Sequence, residues 1–285
     1  MDGIIVVNKP KDYTSNDVVR KVKKILNEKI GHTGTLDPNA TGVLPLLVGK
    51  GTLLSKYLIN HDKTYEAQIK LGIKTDSADV EGKVIEEREV DKNILTKENV
   101  EKVLQCFVGE TKQIPPLHSA IKLNGKKLYE YARNGEKVAV EPRKITIYDI
   151  ELKDIDLENN IITYIVNCSK GTYIRTLCED IAEKLGTVGY MIELNRLRVG
   201  AFDIENSYTI EELEKGLYGF INLETFFYNK ESLVLNDRDI GLFLNGVMLT
   251  KELKDEVYKI YNEHNDFIGT GTVTNNLLKR DIILK

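Results

Sequence analysis

A twelve-residue stretch, GHTGTLDPNATG at positions 31–42, concentrates groups that could take part in catalysis. It contains a histidine, two threonines and a carboxylate within six residues: His32, Thr33, Thr35 and Asp37. The density of Gly, Pro, Asn and Asp predicts a loop, and its glycines allow another backbone to approach closely. Taken locally, an aspartate before a proline is a turn residue. The apolar runs nearby predict strands that anchor the loop, and this favours a functional carboxylate.

The elements that must position this loop are recognisable on both sides of it. GIIVVNKP (3–10) is a short apolar run that ends at a proline, which predicts a buried strand. TSNDVVRKVKKILN (14–27) repeats apolar residues at helical spacing, with Thr14 or Ser15 as the N-cap. GVLPLLVG (42–49) again predicts a strand. The loop is therefore expected between two strands, with a helix beside it.

Further along, strands and helices mix without a regular strand–helix alternation. KTYEAQIKLG (63–72) alternates with Tyr65 on its apolar side, which predicts a half-buried strand, and GKVIEERE (82–89) is interpreted as its partner. The stretch 143–171 predicts a hairpin, and TYIRTLCEDIAEKLG (172–186) predicts an amphipathic helix. We therefore expect an α+β fold with a largely antiparallel mixed sheet.

The charge distribution is more informative than its total. The net charge of −4 and the pI of 5.8 argue mildly against a nucleic-acid partner. However, segment 112–148 holds eight basic and three acidic residues, a net charge of +5, while 76–110 carries −5. Within the basic segment, Asn124-Gly125 predicts a tight hairpin turn. The two segments are either two solvated faces or a contact surface for a polyanion.

A metal centre and a disulfide framework are not expected. The three cysteines, Cys106, Cys168 and Cys178, show no CxxC spacing, and the four histidines are scattered. DSADVEG (76–82) only superficially resembles a calcium loop, because the position of the bidentate glutamate falls on Arg88.

The length of 285 residues suits one large domain with a smaller one. Near Leu233 the pattern changes to short strand-like pieces, so we expect a domain over 1–230 and a small β-rich module over 231–285. No apolar stretch approaches the length that spans a bilayer, and the first residues do not form a secretory signal. The sequence thus predicts a cytoplasmic protein without a membrane segment.

Six stretches in order closely resemble motifs of one family, the TruB family of bacterial tRNA pseudouridine-55 synthases. They are GIIVVNKPKDYTSNDVVRKVK (3–23), GHTGTLDPNATGVLP (31–45), DKTYEAQIKLGIKTDSADVEG (62–82), IPPLHSAIKLNGKKLYEYARNG (114–135), CSKGTYIRTLCEDI (168–181) and NRLRVGAF (195–202). The resemblance implies a pseudouridine-synthase fold over 1–230 with an RNA-clasping insertion at about 112–148. The tail over 231–285 loosely resembles a PUA-like RNA-binding module.

The resemblance implies the isomerisation of uridine 55 in the T-loop of tRNA, after the base is flipped out of its stack. Asp37 would be the catalytic carboxylate, and Arg175 would pair with it as a planar bidentate partner. Tyr65 would stack on the flipped uracil and serve in proton transfer. Without the resemblance, Arg175 is a surface salt-bridge residue and Tyr65 a core residue of a strand. Because the reaction is redox-neutral, no cofactor is expected.

The same motifs imply a set of substrate-binding residues: His32, Tyr173, Leu197, Lys9, Lys122, Lys126 and Lys127. His32 would occupy the space that the flipped base leaves, and its alternative is a loop histidine without a role. Tyr173 and Leu197 would form the pocket wall, although either also suits a simple core position. Lys9 would support the site.

Two other functions remain open from the sequence. One is the catalytic subunit of a guide-RNA-dependent pseudouridylation particle, although the stretch from Ile114 to Tyr148 resembles the clasp of the stand-alone enzymes. The other is a tRNA-binding folding chaperone. We expect the T-arm of tRNA as the partner and a monomeric protein.

Overall fold

The computed structural model describes residues 2–119, 121–136 and 138–284. The strands up to residue 230 are β1 Gly3–Lys9, β2 Ile30–His32, β3 Thr41–Val48, β4 Lys63–Leu71, β5 Ile73–Thr75, β6 Val84–Glu87, β7 Gly109–Gln113, β8 Lys122–Leu123, β9 Lys126–Lys127, β10 Arg143–Asp156, β11 Ile161–Cys168, β12 Gly189–Val199, β13 Phe202–Asp203 and β14 Ile221–Asn222. The helices of this part are α1 Ser15–Leu26, α2 Ser55–Leu58, α3 Lys97–Gln105, α4 Leu128–Arg133, α5 Ile174–Lys184, α6 Ile210–Glu214 and α7 Leu223–Phe226. Short 3₁₀ turns lie at Gly49–Leu54, Lys92–Ile94 and Ile204–Asn206.

A large mixed sheet is the scaffold of this part. Within the described residues it has ten strands, eight of them in the order β14-β1-β3-β12-β4-β11-β10-β7, with β2 beside β3 and β13 beside β12. Its strand pairs are antiparallel except for β3 with β12. The expected α+β fold with a largely antiparallel mixed sheet is confirmed.

Strand β4 is central, and its alternation is the one that the sequence predicts. Odd-numbered residues from Lys63 to Leu71 are buried and the even-numbered ones are half-buried. Its neighbours are β11 and β12, whereas β6 pairs with β5, so the interpretation of 82–89 as the partner of β4 is wrong. The reason lies at Gly72, where a φ of +91° turns the chain out of β4.

Local capping explains where α1 begins. Thr14 accepts a hydrogen bond from the backbone N–H of Asp17, and the Asp17 carboxylate accepts one from the Thr14 backbone. This capping box confirms Thr14 as the N-cap. The apolar face of α1, including the fully buried Val18 and Val22, packs in one cluster with β1 and β3. These strands and α1 surround the loop that carries Asp37.

Helix α5 packs against strands β4 and β11. Leu177, Cys178 and Ile181 of α5 are buried in the same cluster as residues of β4 and β11. Gly186, with a φ of +86°, follows the end of this helix in the left-handed conformation that glycine favours. This packing brings the first turn of α5, with Arg175, to the sheet.

The basic insertion leaves the sheet between β7 and β10. β7 continues to Gln113 and β10 begins at Arg143, so the chain is away from this sheet over 114–142, and the RNA-clasping range of about 112–148 stays a prediction. Asn124 and Gly125 have φ values of +52° and +82°, so the predicted tight turn joins β8 to β9. Lys137, which contributes to the charge of this segment, lies outside the described residues, as does Ala120.

The tail forms a second sheet. Its elements are β15 Ser232–Val234, α8 Asp237–Leu244, β16 Leu249–Thr250, β17 Val257–Tyr261, β18 Phe267–Thr274 and β19 Leu277–Ile283. The strands are arranged in the order β15-β17-β18-β19-β16. The expected β-rich module is present, and α8 is an addition to the strands that the sequence suggested.

The tail does not pack as a separate unit. Ile282 and Phe267 belong to the same apolar cluster as Leu54 and Phe227. The Asp281 carboxylate of β19 also accepts a hydrogen bond from the Tyr57 hydroxyl. The boundary near residue 230 stays a prediction, but removal of the tail exposes part of the first domain's core. No helix in the described part of the chain is long and apolar enough to cross a membrane.

Candidate active site

A cleft of about 750 Å³ opens beside the Asp37 loop. Segments that are far apart in the sequence line it: Thr33–Asp37, Ile59, Lys63, Tyr65, His118, Ser119, Tyr129, Arg143, Lys144, Lys170–Arg175, Leu194 and Arg196. Among these described residues Asp37 is the single carboxylate, while six carry a positive charge. The cleft therefore favours an anionic ligand and presents one carboxylate to it.

Lys9 is a buried support of the Asp37 loop. Its side chain is fully buried at the end of β1, and its Nζ donates to the backbone oxygens of Pro10, Tyr13 and Pro38 at 2.9, 2.5 and 2.9 Å. Burial lowers the pKa of Lys9 to about 8. The expectation that Lys9 supports the site agrees with this position. The expectation that Lys9 contacts substrate directly does not agree with this position, because the ammonium has no exposed surface.

Two further groups fix the loop backbone. The Ser15 hydroxyl of α1 accepts from the backbone N–H of Leu36 at 2.9 Å and donates to its carbonyl at 3.2 Å. Arg196, also fully buried, donates to the carbonyls of Val43 and Gly34 at 2.8 and 3.2 Å. These bonds hold the backbone on both sides of Asp37.

Gly42 shows why the end of this loop needs a glycine. Its φ is +104°, and a Cβ atom there would lie 2.3 Å from the carbonyl oxygen of Arg196. The close approach of another backbone, which the glycines of the loop predict, is therefore present at β12. Any larger residue at position 42 would push the loop away from Arg196.

Arg175 connects three separate segments around Asp37. Its Nε lies 3.2 Å from Asp37 Oδ2, and its Nη1 lies 3.2 Å from Asp79 Oδ2. Its Nη2 donates to the carbonyl of His118 at 2.9 Å, at the base of the basic insertion. The expected pairing with Asp37 is present, but as a single contact, so the expectation of a bidentate pair is wrong. The planar guanidinium distributes its donors among several acceptors instead.

Asp79 is a site residue that the sequence did not single out. Its carboxylate is 14% exposed, and its Oδ1 accepts from the Ser77 hydroxyl at 2.5 Å and from the Glu81 backbone at 3.1 Å. The compact turn over 76–82 that resembled a calcium loop is therefore a support for Arg175. Glycine at position 82 is required there, because a Cβ would lie 2.3 Å from the Ser77 hydroxyl.

Tyr65 and its neighbour on β12 form the floor of the cleft. Tyr65 is 8% exposed and is directly opposite Arg196 in the sheet. Burial raises the pKa of the Tyr65 phenol, and the nearby Arg196 charge opposes that rise. The phenol is therefore protonated at neutral pH and can act as a stacking surface or a proton donor.

Of the two residues expected to form the pocket wall, Tyr173 lines the cleft and Leu197 does not. Tyr173 lines the cleft just before α5, and its backbone N–H donates to Gln113 Oε1 at 2.8 Å. Leu197 is not among the described lining residues, and in β12 it lies at a bulge between Arg196 and Arg198. Leu194 and Arg196 of the same strand line the cleft instead, so the assignment of Leu197 to the pocket wall is not supported.

His32 lies beside the cleft rather than in its wall. It is half-buried at the end of β2, and its Nδ1 accepts from the Gly34 backbone at 3.4 Å. Burial lowers the pKa of the imidazole, which is therefore neutral near pH 7. Its expected role in filling the space left by a flipped base stays a prediction.

The three lysines of the insertion lie on its small hairpin. Lys122 is exposed and pairs across the hairpin with Lys127. The Nζ of Lys126 lies 2.9 Å from Glu136 and 4.4 Å from the ring centre of Tyr131. These lysines are outside the cleft lining, and their expected contact with RNA stays a prediction.

The chain matches family models and named proteins over most of its length. A model of the TruB family pseudouridylate synthase N-terminal domain matches residues 22–174, and a model of the tRNA pseudouridylate synthase B C-terminal domain matches 175–225. A protein named tRNA pseudouridine synthase B from Clostridium kluyveri is 44% identical over 280 residues, 95% of each chain. Another of that name from Caldanaerobacter subterraneus subsp. tengcongensis is 43% identical over 274 residues, again 95% of each chain.

Solved structures agree on the fold. A Cbf5-Nop10-Gar1 complex contains a chain with a TM-score of 0.68 at 24% identity, covering 99% of this chain and 84% of that one. A chain from an H/ACA RNP bound to a substrate RNA with 2′-deoxyuridine has the same TM-score at 22% identity, with coverages of 99% and 85%. At these identities the likeness establishes the architecture.

Two consecutive family models of pseudouridylate synthases thus cover residues 22–225, and the class of the protein is pseudouridine synthase, an isomerase. Within that class the chain belongs to the TruB family. In the described residues no group of three or more His, Cys, Asp or Glu side chains is placed to hold a metal ion.

Proposed function

We propose that this protein converts uridine 55 in the T-loop of tRNA to pseudouridine, without a guide RNA. The observation that carries the proposal is the carboxylate of Asp37, 3.2 Å from Arg175 in a cleft with six positive charges. A polyanionic substrate is attracted to such a cleft, and the isolated carboxylate is the group available for covalent or electrostatic catalysis. The names of the relatives support tRNA as the substrate.

The chemistry is an isomerisation that balances within the substrate. The bond between uracil N1 and ribose C1′ breaks, the base rotates, and a bond forms between C5 and C1′. C5 then loses its proton and N1 gains one. Asp37 is the group that acts as the nucleophile or stabilises the positive charge that develops, and no oxidant or reductant is consumed.

The surrounding residues have distinct roles in this proposal. The target base must leave its stack at a cost of about a few kcal/mol, and the Tyr65 ring supplies a surface on which it stacks. Arg175 orients Asp37 and keeps a positive charge beside it. Lys9 and Arg196 keep the loop in place while the base enters.

The hairpin at 122–127 supports action without a guide. It presents Lys122, Lys126 and Lys127 in the insertion whose Tyr129 lines the cleft, and there they can contact an RNA backbone directly. The T-arm is accordingly the proposed partner. A monomeric state and a cytoplasmic location stay predictions that size measurement and cell fractionation test.

The decisive experiment uses purified protein and a short T-arm RNA, with no other RNA present. Modification-sensitive sequencing is expected to report pseudouridine at the position of uridine 55 and nowhere else in the arm. Conversion only when a guide RNA is added would overturn the guide-free proposal. Conversion at another uridine would overturn the assignment of position 55.

A tRNA-folding chaperone role can be distinguished from isomerisation with the same purified protein. Refolding of a misfolded tRNA can be followed with the parent and with Asp37→Asn. Equal refolding by the inactive variant reveals a second function, whereas loss of refolding together with turnover leaves isomerisation as the function.

A further inference from the structure

Two lysines at one end of the cleft have no role in the proposal above. Lys63 is the first residue of β4, is 9% exposed and lines the cleft. Lys170 also lines the cleft and lies in the turn between β11 and α5, with an exposed side chain. Cys168 of β11 is directly opposite Lys63 in the sheet, which brings Lys170 close to it.

Both ammonium groups donate to two adjacent residues, one to a backbone carbonyl and one to a side-chain oxygen. Lys63 Nζ donates to the carbonyl of His61, and Lys170 Nζ donates to the side-chain oxygen of Asn60. Within the described residues, no carboxylate lies at ion-pair distance from either lysine. The nearby carboxylate of Asp62 interacts with the phenol of Tyr148.

Comparison with Lys9 shows that hydrogen-bonding capacity is left over. An ammonium group has three donors. Lys9 uses all three on the backbone carbonyls of Pro10, Tyr13 and Pro38. In the described part of the chain Lys63 uses one on the protein, and so does Lys170. A lysine that only supports the fold resembles Lys9, whereas Lys63 retains donors at the cleft.

The burial of Lys63 and the positive charges near it also favour binding of an anion. Burial lowers the pKa of Lys63 and the positive charge of Arg196 lowers it further, while Cys168 and the carboxylate of Asp62 oppose that fall and Lys170 adds a smaller lowering. A buried charge without a partner is costly, and two neighbouring cations repel each other. An anion bound between them satisfies the free donors and removes that repulsion.

We propose that Lys63 and Lys170 bind a phosphodiester group of the RNA next to the nucleotide that reacts. This inference rests on the proposed function for the identity of the RNA. Lys63 and Tyr65 are two residues apart on the same face of β4, a separation of roughly 6.6 Å between their Cα atoms. A base stacked on Tyr65 is joined to its own phosphates through one ribose, so a flanking phosphate reaches the two lysines.

The test measures whether removing a lysine and neutralising one phosphate of the RNA weaken binding through the same contact. T-arm RNAs carry a single neutral methylphosphonate, placed in turn at each phosphate within two nucleotides of the target uridine. For the parent protein, one or two of these positions are expected to weaken binding about tenfold. In Lys63→Met and Lys170→Met the unmodified RNA is expected to bind about tenfold more weakly, and the methylphosphonate at that position adds less than twofold.

Two further variants serve as controls for the binding experiment. Lys63→Arg retains the charge and is expected to keep most of the coupling. Lys70→Met, at the other end of β4 where Lys70 Nζ donates to the Asn159 carbonyl, is expected to behave like the parent. Because Lys170 is exposed, its variant answers the question even if Lys63→Met does not fold, as circular dichroism would show.

The inference would be overturned if the losses of affinity from the lysine replacement and from the methylphosphonate simply added. If methylphosphonate weakens binding of Lys170→Met as strongly as that of the parent at every position, the phosphates are bound elsewhere. The readout is binding, so the result is independent of turnover. A parent that binds with this coupling but forms no pseudouridine contradicts the proposed function alone, whereas a parent that forms pseudouridine without coupling contradicts this inference alone.

Discussion

The loop that carries Asp37 and the hairpin that carries Lys126 are attached to the protein in opposite ways. The loop is bonded to three buried groups from β1, α1 and β12. The hairpin is bonded largely within its own insertion, where Lys126 pairs with Glu136 and Tyr131 donates to the Leu123 carbonyl. The reacting carboxylate needs a fixed position, whereas cations that capture a polyanion need exposure and reach.

One residue joins the two regions. Arg175 contacts Asp37 on one side and the carbonyl of His118, at the base of the insertion, on the other. Because Asp79 contacts the same guanidinium, the base of the insertion and the Asp37 loop share a buried connection. The comparison therefore predicts that loop variants change turnover, that hairpin variants change binding, and that Arg175 variants change turnover most among the connecting residues.

The largest effect is expected for Asp37→Asn. Asparagine keeps the size and the turn conformations of aspartate but removes the charge and the nucleophile. Single-turnover pseudouridine formation should fall by about 1000-fold or more, while RNA affinity changes less than threefold because it comes from phosphate and stacking contacts. A folded variant that turns over within tenfold of the parent would falsify the catalytic assignment.

Arg175→Lys should be the next most damaging change. Lysine retains a charge but cannot reach Asp37, Asp79 and the His118 carbonyl together from one planar group. We expect the turnover number to drop about 100-fold. Asp79→Asn should show part of the same loss, measured by the same assay, because the guanidinium loses one of its two carboxylates. Unchanged turnover in Asp79→Asn would show that Arg175 does not depend on it.

Lys9→Met tests the anchoring of the loop. It leaves three backbone carbonyls without their donor, and we expect a loss of about 1–3 kcal/mol in the free energy of unfolding. The pKa of Lys9 is about 8 in the folded protein, below the 10.5 of the unfolded chain. Between these values the unfolded state binds more protons, so this group makes the parent's stability rise with pH.

Chemical denaturation at several pH values checks that prediction. Below pH 8 both states are protonated, and the difference between parent and Lys9→Met should be independent of pH. Between pH 8 and 10.5 the parent should gain stability relative to the variant. A constant difference across that range would mean that the carbonyl bonds keep the Lys9 pKa near its ordinary value.

The smallest effect is expected for the triple replacement of Lys122, Lys126 and Lys127 with alanine. Affinity for T-arm RNA should fall about three- to tenfold, and the slope of log affinity against log salt should decrease by about 2 rather than 3. The smaller value follows because Lys126 is already paired with Glu136. The turnover number at saturating RNA should stay the same. An unchanged salt slope would remove the hairpin from the RNA interface.

Much of the architecture could be predicted because its signals are local. Alternation along β4, the capping box at Thr14, and the Asn124-Gly125 turn each depend on residues a few positions apart. The Asp37 loop was prominent for the same reason, since its glycines and polar residues are contiguous. The partner of β4 was not predictable in this way, because Gly72 turns the next stretch away and the true partners lie about 100 residues further on.

The sequence by itself determined the polar loop that carries Asp37, the order of the elements that hold it, and the basic hairpin of the insertion. Only the tertiary structure decided that Arg175 contacts Asp79 across 96 positions, that Lys9 is buried against the loop, and that Lys170 lies close enough to Lys63 to affect its pKa. It also decided that Leu194 and Arg196 of β12, rather than Leu197, line the cleft. Side-chain contacts between distant residues depend on strand register and packing, and no local pattern of residue types encodes them.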